Sequence, residues 1–428
     1  MKKILFLALA ALTFVACSER NTPDDGSSSS GESGTVIPGD TTITTSDTIR
    51  IAWNGSSATV TGTHEGVTIT SDNGYVTVNS TTDQLISYLL TGNGQGQLTI
   101  YGEIKHQLIL SDLTLTCSNG PAINNQCHKK CYVRLEGSNS LTDGASYITV
   151  NDEDRKAAFF SEGQMIFTGE GALNIRGNYK HGLVSDDYIR FSAGTGTFNI
   201  TATTKGIEAN DGIYFEGGTF VIKAGTEGIE SDSILTITGG QIFVQAADDA
   251  INSGDDLTIT GGLVCAYSTG NDGIDANGNC YIKGGLIYAI GAREPEVGID
   301  ANSEDRKQLY FSGGTLIAIG GLERGSDLSQ DCYQASGSTN TWYAMTIGEQ
   351  TVAFKTPSSN ASTLVVSGAS KPTLYKGVTP SGTEIFNGMA YYPASYSGGS
   401  AVSLSSYDAS SGGGPGGGGG PGGRHGGW

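Results

Sequence analysis

The sequence predicts an all-β fold, a parallel β-helix of about 22–25 residues per coil, and three observations predict it. One phrase returns five times, as Gly206-Ile207-Glu208-Ala209, Gly228-Ile229-Glu230-Ser231, Ala250-Ile251-Asn252-Ser253, Gly273-Ile274-Asp275-Ala276 and Gly298-Ile299-Asp300-Ala301, with isoleucines 22, 22, 23 and 25 residues apart. Between the copies stands a second phrase, an apolar alternation closed by two glycines, such as Leu257-Thr258-Ile259 before Gly261-Gly262. Each unit holds three short runs with period-two alternation separated by Gly, Asn and Asp, and no run has the length or 3.6-residue spacing of a helix. A fixed period of this size means stacked units. Neighbouring coils then lie about 4.8 Å apart, so equivalent residues form columns along the stack.

At the chain start, Lys2 and Lys3 precede an apolar run from Ile4 to Val15, so residues 1–16 read as a signal peptide too short to span a membrane. Leu12-Thr13-Phe14-Val15-Ala16-Cys17 resembles the lipobox of bacterial lipoproteins, in which the cysteine carries the lipid. That resemblance implies a lipidated Cys17 as the chain's membrane contact and a place in the cell envelope, as an outer-membrane lipoprotein exposed at the surface or facing inward. An ordinary signal peptide with a coincidental cysteine is the alternative. Residues 17–46, rich in Ser, Thr, Gly and Asp, read as a flexible linker.

Irregular opening coils are expected over 47–180, regular coils over 181–320 and a C-terminal cap over 321–410, all within one β-helix spanning 47–410. Looser copies at Pro121-Ala122-Ile123-Asn124, Ala158-Phe159-Phe160-Ser161 and Gly182-Leu183-Val184-Ser185 carry the winding upstream, with an excursion expected around Ser138 to Lys156. After Gly313-Gly314 the period reads as lost. The tail 411–428 is Gly-rich and predicted to be disordered.

The chain has 43 acidic residues against 24 Lys and Arg, a net charge of −19, and removal of Lys2 and Lys3 takes the balance to −21. Phosphate contact needs a basic stripe, so nucleic acid is excluded as a partner. Six cysteines remain beyond Cys17, and sequence proximity favours pairing Cys117 with Cys127 or Cys131.

Function belongs in the columns. The residue after each isoleucine must point outward: Val184, Glu208, Glu230, Asn252, Asp275 and Asp300. Two residues before it stand His181, Lys205, Glu227, Asp249, Asp272 and Val297. Between 205 and 305 there are 17 acids and 4 basic residues. Two carboxylates about 5 Å apart repel by roughly 3 kcal/mol at an effective dielectric near 20, so a ladder of them requires protons, salt or a bound cation. Calcium takes six to eight oxygens from separate segments, and Glu227, Glu230, Asp249, Asn252, Asp272 and Asp275, with Asp300, are the candidate ligands. A solvated face of turn-forming Asn and Asp is the competing reading, although Glu is not a turn former.

Another outward column runs Arg190, Tyr214, Thr236, Thr258, Tyr281, Tyr310, and its tyrosines can meet a sugar ring or serve simply as good strand residues. A third, Val221, Phe243, Cys265, Tyr288, Ile317, is apolar yet outward, and is expected to be covered by the chain after Gly320 or by a partner. No Ser/His/Asp arrangement or phosphate loop appears, and Arg293 is the one candidate base in the regular coils.

Asp249-Ala250-Ile251-Asn252-Ser253, Asp272-Gly273-Ile274-Asp275-Ala276 and Leu257-Thr258-Ile259-Thr260-Gly261-Gly262, with Gly120-Pro121-Ala122-Ile123 and Ser140-Leu141-Thr142-Asp143-Gly144, resemble the bacterial carbohydrate-binding β-helix family first recognised in cellulolytic clostridia. The resemblance implies a right-handed, single-stranded, pectate-lyase-like β-helix. It also implies calcium and plant-type or acidic polysaccharide as ligands, without catalysis. Glu230, Asp249, Asp272, Asp275 and Asp300 match the family's acids, while Asn252, Val297 and Lys205 interrupt them. A calcium-bound, non-catalytic carbohydrate-binding surface lipoprotein is therefore the first expectation. A calcium-dependent lyase acting on uronates and a structural adhesin are the alternatives.

Overall fold

In the computed structural model, residues 47–150 and 153–411 are described. The signal peptide, Cys17, the linker and residues 412–428 lie outside the described residues. Parallel strands stack in three ladders, giving an all-β solenoid of pectate-lyase-like architecture.

The first ladder begins with Tyr75–Ser80, Gln97–Gly102 and Ile123–Asn125 and continues through Ala157–Ser161, His181–Ser185, Ile207–Ala209, Ile229–Ser231, Ile251–Ser253 and Ile274–Ala276. Isolated parallel bridges extend it to Ile299 and Leu322. The second contains Gly212–Phe215, Ile234–Ile237, Leu257–Ile259, Cys280–Ile282 and Leu309–Phe311. Thr197–Ala202, Thr219–Ala224, Gln241–Ala246, Leu263–Ser268, Leu286–Ile290 and Thr315–Ile319 belong to the third.

The two repeated phrases are the corners and inward positions of this stack. The second glycine of each pair has a left-handed backbone, φ 90° at Gly218, 92° at Gly240 and 88° at Gly285, which glycine adopts without steric cost. Inward residues stack with their equivalents one coil away. Phe191 lies face to face with Phe167 and Phe215, at centroid distances of 5.2 and 4.9 Å, and meets Phe198 and Phe220 edge-on.

Both ends are closed by antiparallel pairing, which protects strand edges that would otherwise recruit other chains. Thr48–Gly55 pairs with Ser57–Thr61, and Val67–Asp72 with Tyr75–Ser80. At the far end Thr315–Ile319 pairs with Thr363–Ser367. Trp342–Ile347, Gln350–Lys355, Thr373–Ile385 and Ala390–Val402 form a closed four-stranded barrel against the third ladder. Tyr343, Met345, Phe354 and Phe386 cover Phe243, Cys265, Tyr288 and Ile317, so the outward apolar column is buried by the chain after Gly320.

Three sequence expectations are corrected. Ser138–Thr142 is a regular ladder strand, so the excursion is shorter than expected and begins after it. All six described cysteines are buried free thiols, with no Cys117 disulfide. The period survives one coil beyond Gly313-Gly314: Gly321-Leu322-Glu323 follows Gly298-Ile299-Asp300 in register, disguised by Leu in place of Ile.

The core stack carries a direct test. Phe191→Ala should cost about 3–5 kcal/mol in denaturant melts, as expected for a buried phenylalanine. Thr258→Ala, on the outer side of the second ladder, should stay within about 0.5 kcal/mol. Equal effects would contradict the inward assignment.

Candidate functional site

The isoleucines at 207, 229, 251, 274 and 299 are fully buried, so the residue after each is directed to the outer side of the first ladder. Register places Glu208 opposite Glu230, Glu230 opposite Asn252, and Asn252 opposite Asp275. The bridges at Ile299 and Leu322 continue this column to Asp300 and Glu323. At Gly228 the glycine before the isoleucine is a packing requirement, since a Cβ there would lie 2.0 Å from Val244 Cγ1, whereas the next coil accommodates Ala250 at this place. Backbone bonds Gly206 N–H to Glu227, Gly228 N–H to Asp249 and Ala250 N–H to Asp272 align the preceding column in the same way.

Along this face the charge is handled in two different ways. In the earlier coils, lysines answer the acids. Lys205 Nζ lies 2.9 Å from Glu208 Oε1 and also pairs with Glu230, and Lys156 Nζ lies 3.2 Å from Asp186 Oδ1. Burial pushes the Lys205 ammonium down, but Glu208 and Glu230 outweigh it and hold the ammonium firmly charged. Burial also pushes Glu208 up, and the charges of His181, when that ring is protonated, and of Lys205 and Lys156 more than offset it. His181 accepts from Lys205 N–H at Nδ1 and is driven by burial to about 4, so it is neutral. Lys205, an apparent gap in the acidic ladder, is thus the counter-charge of Glu208 and Glu230. Glu227 is half-buried beside Glu230, where its charge helps to raise the Glu230 carboxyl after burial itself.

The later coils have no such partner. Among the described residues, no Lys, Arg or His forms an ion pair with Asp249, Asp272, Asp275 or Asp300. Asp249 and Asp272 are only 5% and 8% exposed, so they are not members of a solvated face. Each caps the next coil: Asp249 Oδ1 accepts Asp272 N–H at 2.9 Å, and Asp272 Oδ1 accepts Val297 N–H at 2.5 Å. Asn252 Nδ2 bridges Asp249 and Asp275, donating to each at 3.3 Å. Asp300 faces the carboxyl groups of both Asp275 and Glu323.

Desolvation dominates these acids. Burial, then the charge of Asp275, raises Asp249 to about 7 despite its bonds to Asp272 N–H and Asn252. Asp272 is raised to about 8 by burial, with Asp249 and Glu296 adding to it against the Val297 N–H. Asp275 reaches about 6 through burial, with Asp248 and Glu296 adding, while its bond to Asp300 lowers it. Asp300 is raised furthest, by burial and then by its bond to Glu323. Two carboxyls in contact share a proton or a cation, because two bare carboxylates have no donor between them.

This donor set fits a hard divalent ion in chemistry, being carboxylate oxygens with the Asn252 amide carbonyl nearby. Among the described residues, no three His, Cys, Asp or Glu side chains form a ready metal cage, so an ion would be held only after side chains turn from their present bonds.

On the second ladder, Arg190, Tyr214, Thr236, Thr258, Tyr281 and Tyr310 do form one column. Tyr281 and Tyr310 stack face to face at 5.1 Å, with Lys283 Nζ 5.1 Å from the Tyr281 centroid. Their facing surfaces are used on each other, which leaves ring edges and hydroxyls for a ligand. Tyr214 stands coils away, edge-on to Tyr188. Arg293, the sequence's candidate base, is exposed in a loop. Sequence reading missed Glu323, although its Gly-Leu-Glu phrase and 23-residue offset from Asp300 could have found it.

The family described as "carbohydrate-binding domain-containing protein" matches residues 72–353, which include the whole carboxylate face. Among solved structures, a polysaccharide lyase-like protein from C. thermocellum, as a gadolinium derivative, aligns over 59% of this chain and 96% of its own, at 20% identity and a TM-score of 0.46. No curated protein matches.

These raised carboxyls carry a pH prediction. Their folded pKa values exceed the unfolded value, so the folded chain binds more protons, and their stabilising contribution, complete below about pH 4, is lost as pH rises through about 6 to 8. Chelator-treated protein should therefore melt lower at about pH 8 than at about pH 5, and Asp272→Asn should flatten the difference. A higher melting point at pH 8 would contradict the assignment.

Proposed function

Since the chain belongs to the carbohydrate-binding domain family, we propose that it is a non-catalytic binder of acidic, plant-type polysaccharide whose grip depends on calcium at Asp249, Asn252, Asp272, Asp275 and Asp300. The observation that carries this reading is the absence of any described basic partner for four largely buried carboxyls in successive coils. A divalent ion would relieve their repulsion and attract the carboxylates of a uronate chain, which the bare face would repel. Glu323 extends the ligand set by one coil, and Glu230 and Glu227 border it, with Glu230 held by Lys205. Tyr281 and Tyr310 would contact sugar through their edges and hydroxyls. Lipidation at Cys17 would hold the domain at the cell envelope, with the linker 17–46 as its tether.

Against a lyase stands the chemistry of the nearby bases. Abstraction of a proton beside a uronate carboxyl needs an unprotonated base, whereas Lys205 is held charged by two carboxylates and His181 has its Nδ1 engaged.

Calcium in excess should raise the melting temperature relative to chelator, by an amount equivalent to about 2.7 kcal/mol at 100 times its dissociation constant. Asp272→Asn and Asp275→Asn should shrink that rise, and polygalacturonate should be retained only with calcium. A melt unmoved by chelator removes calcium from the account. Growth of the ultraviolet absorbance of an unsaturated uronate would make the protein a lyase.

A further inference from the structure

The family match ends at residue 353, inside the second strand of the four-stranded barrel, so the long strands Thr373–Ile385 and Ala390–Val402 lie beyond it, and one face of the barrel sheet packs on the coil stack. The other face carries aromatic residues that the core does not use. Pairing parity sets Trp342, Ala344, Ala353, Lys355, Tyr375 and Tyr391 on this second face. Tyr375, Ala344, Ala353 and Tyr391 stand in one row across the sheet, the two tyrosines three strand spacings, about 14 Å, apart along the curve, with both alanines between them fully buried, so the rings reach the surface as two pairs and not over a shared open floor. Trp342 meets Tyr391 at 5.4 Å between ring centroids, and Tyr375 meets Tyr396 at 5.6 Å. All four rings are half-buried, and none of their polar groups donates to another described residue. A ring packed on one side with an unused indole N–H or phenol O–H on the other suits a ligand having both C–H faces and hydroxyls.

Charge narrows the ligand further. Residues 342–402 contain Glu349 and Glu384 against Lys355, Lys371 and Lys376, in a chain that is otherwise strongly acidic. This surface has no carboxylate ladder to neutralise, so it has no requirement for a divalent ion. We propose that Trp342 with Tyr391, and Tyr375 with Tyr396, form a second carbohydrate site that takes neutral pyranose chains independently of calcium. The inference rests on the carbohydrate-binding reading of the whole chain and adds a separate surface with a different glycan class.

The test is affinity electrophoresis of the full mature chain, with chelator present, in gels containing glucomannan, xyloglucan or galactan, and in a calcium gel containing polygalacturonate. Retardation in at least one neutral gel is expected, reduced at least tenfold in W342A/Y391A, with the calcium-dependent polygalacturonate shift unchanged. As a check that does not depend on the double variant folding, the neutral glycan should protect Trp342 from acrylamide quenching in a W428F background, where Trp53 is already buried. No retardation in any neutral gel, retardation abolished by chelator, or equal retardation of W342A/Y391A would each overturn the proposal. Loss of polygalacturonate binding alone would overturn the calcium-site reading and leave this one standing.

Discussion

Repulsion between carboxyl groups held one coil apart is the constraint on which this molecule turns. A parallel β-stack fixes the spacing of equivalent residues at about 4.8 Å, and no side-chain rearrangement changes that repeat. Any property placed in a column is therefore multiplied by the number of coils. Stacked phenylalanines at 167, 191 and 215 gain from the arrangement. Stacked acids are penalised by it, and more so when burial removes the water that would screen them.

The outer side of the first ladder meets that constraint in three ways along its length. Near its start Phe160 and Val184, with Ala157, make a small apolar cluster rather than a charged one. The excursion reaches this face through Asn124 Nδ2, which donates to Glu153 Oε2 at 3.1 Å, and through Lys156, which pairs with Asp186. In the middle coils Lys205 holds Glu208 and Glu230. From Asp249 onward, among the described residues, backbone N–H groups and the Asn252 amide are the donors that oppose the charge, and burial raises the carboxyls toward protonation. The proposed cation would have work to do in this last segment and none in the one before it, where Lys205 already holds the acids. The outward apolar column on the third ladder is resolved separately, by the barrel.

Much of this was legible in the sequence, because a period is a geometric statement. The Gly-Ile-acid phrase set the coil length, the inward isoleucine and the outward column, and the apolar column at Val221 to Ile317 announced its own cover. What was hidden depended on contacts between coils. Nothing in the order of residues shows that Asp249 and Asp272 are buried corner caps reaching the N–H of the next coil. Lys205 reads as an interruption until its ammonium is seen between two glutamates. Glu323 was lost to a single Ile-to-Leu change, and the stacked faces of Tyr281 and Tyr310 follow from ring orientation, which spacing does not encode.

Calcium titration by calorimetry near pH 7, repeated in buffers of different ionisation enthalpy, tests the central claim most directly. If protons now occupy the carboxyls of the last coils, the ion must displace them, and the observed heat should vary with the buffer in proportion to proton release. It should vary less near pH 9, where fewer protons remain to be displaced. Binding heats that are identical in every buffer at pH 7 would mean that the acids were never protonated, and would contradict the account.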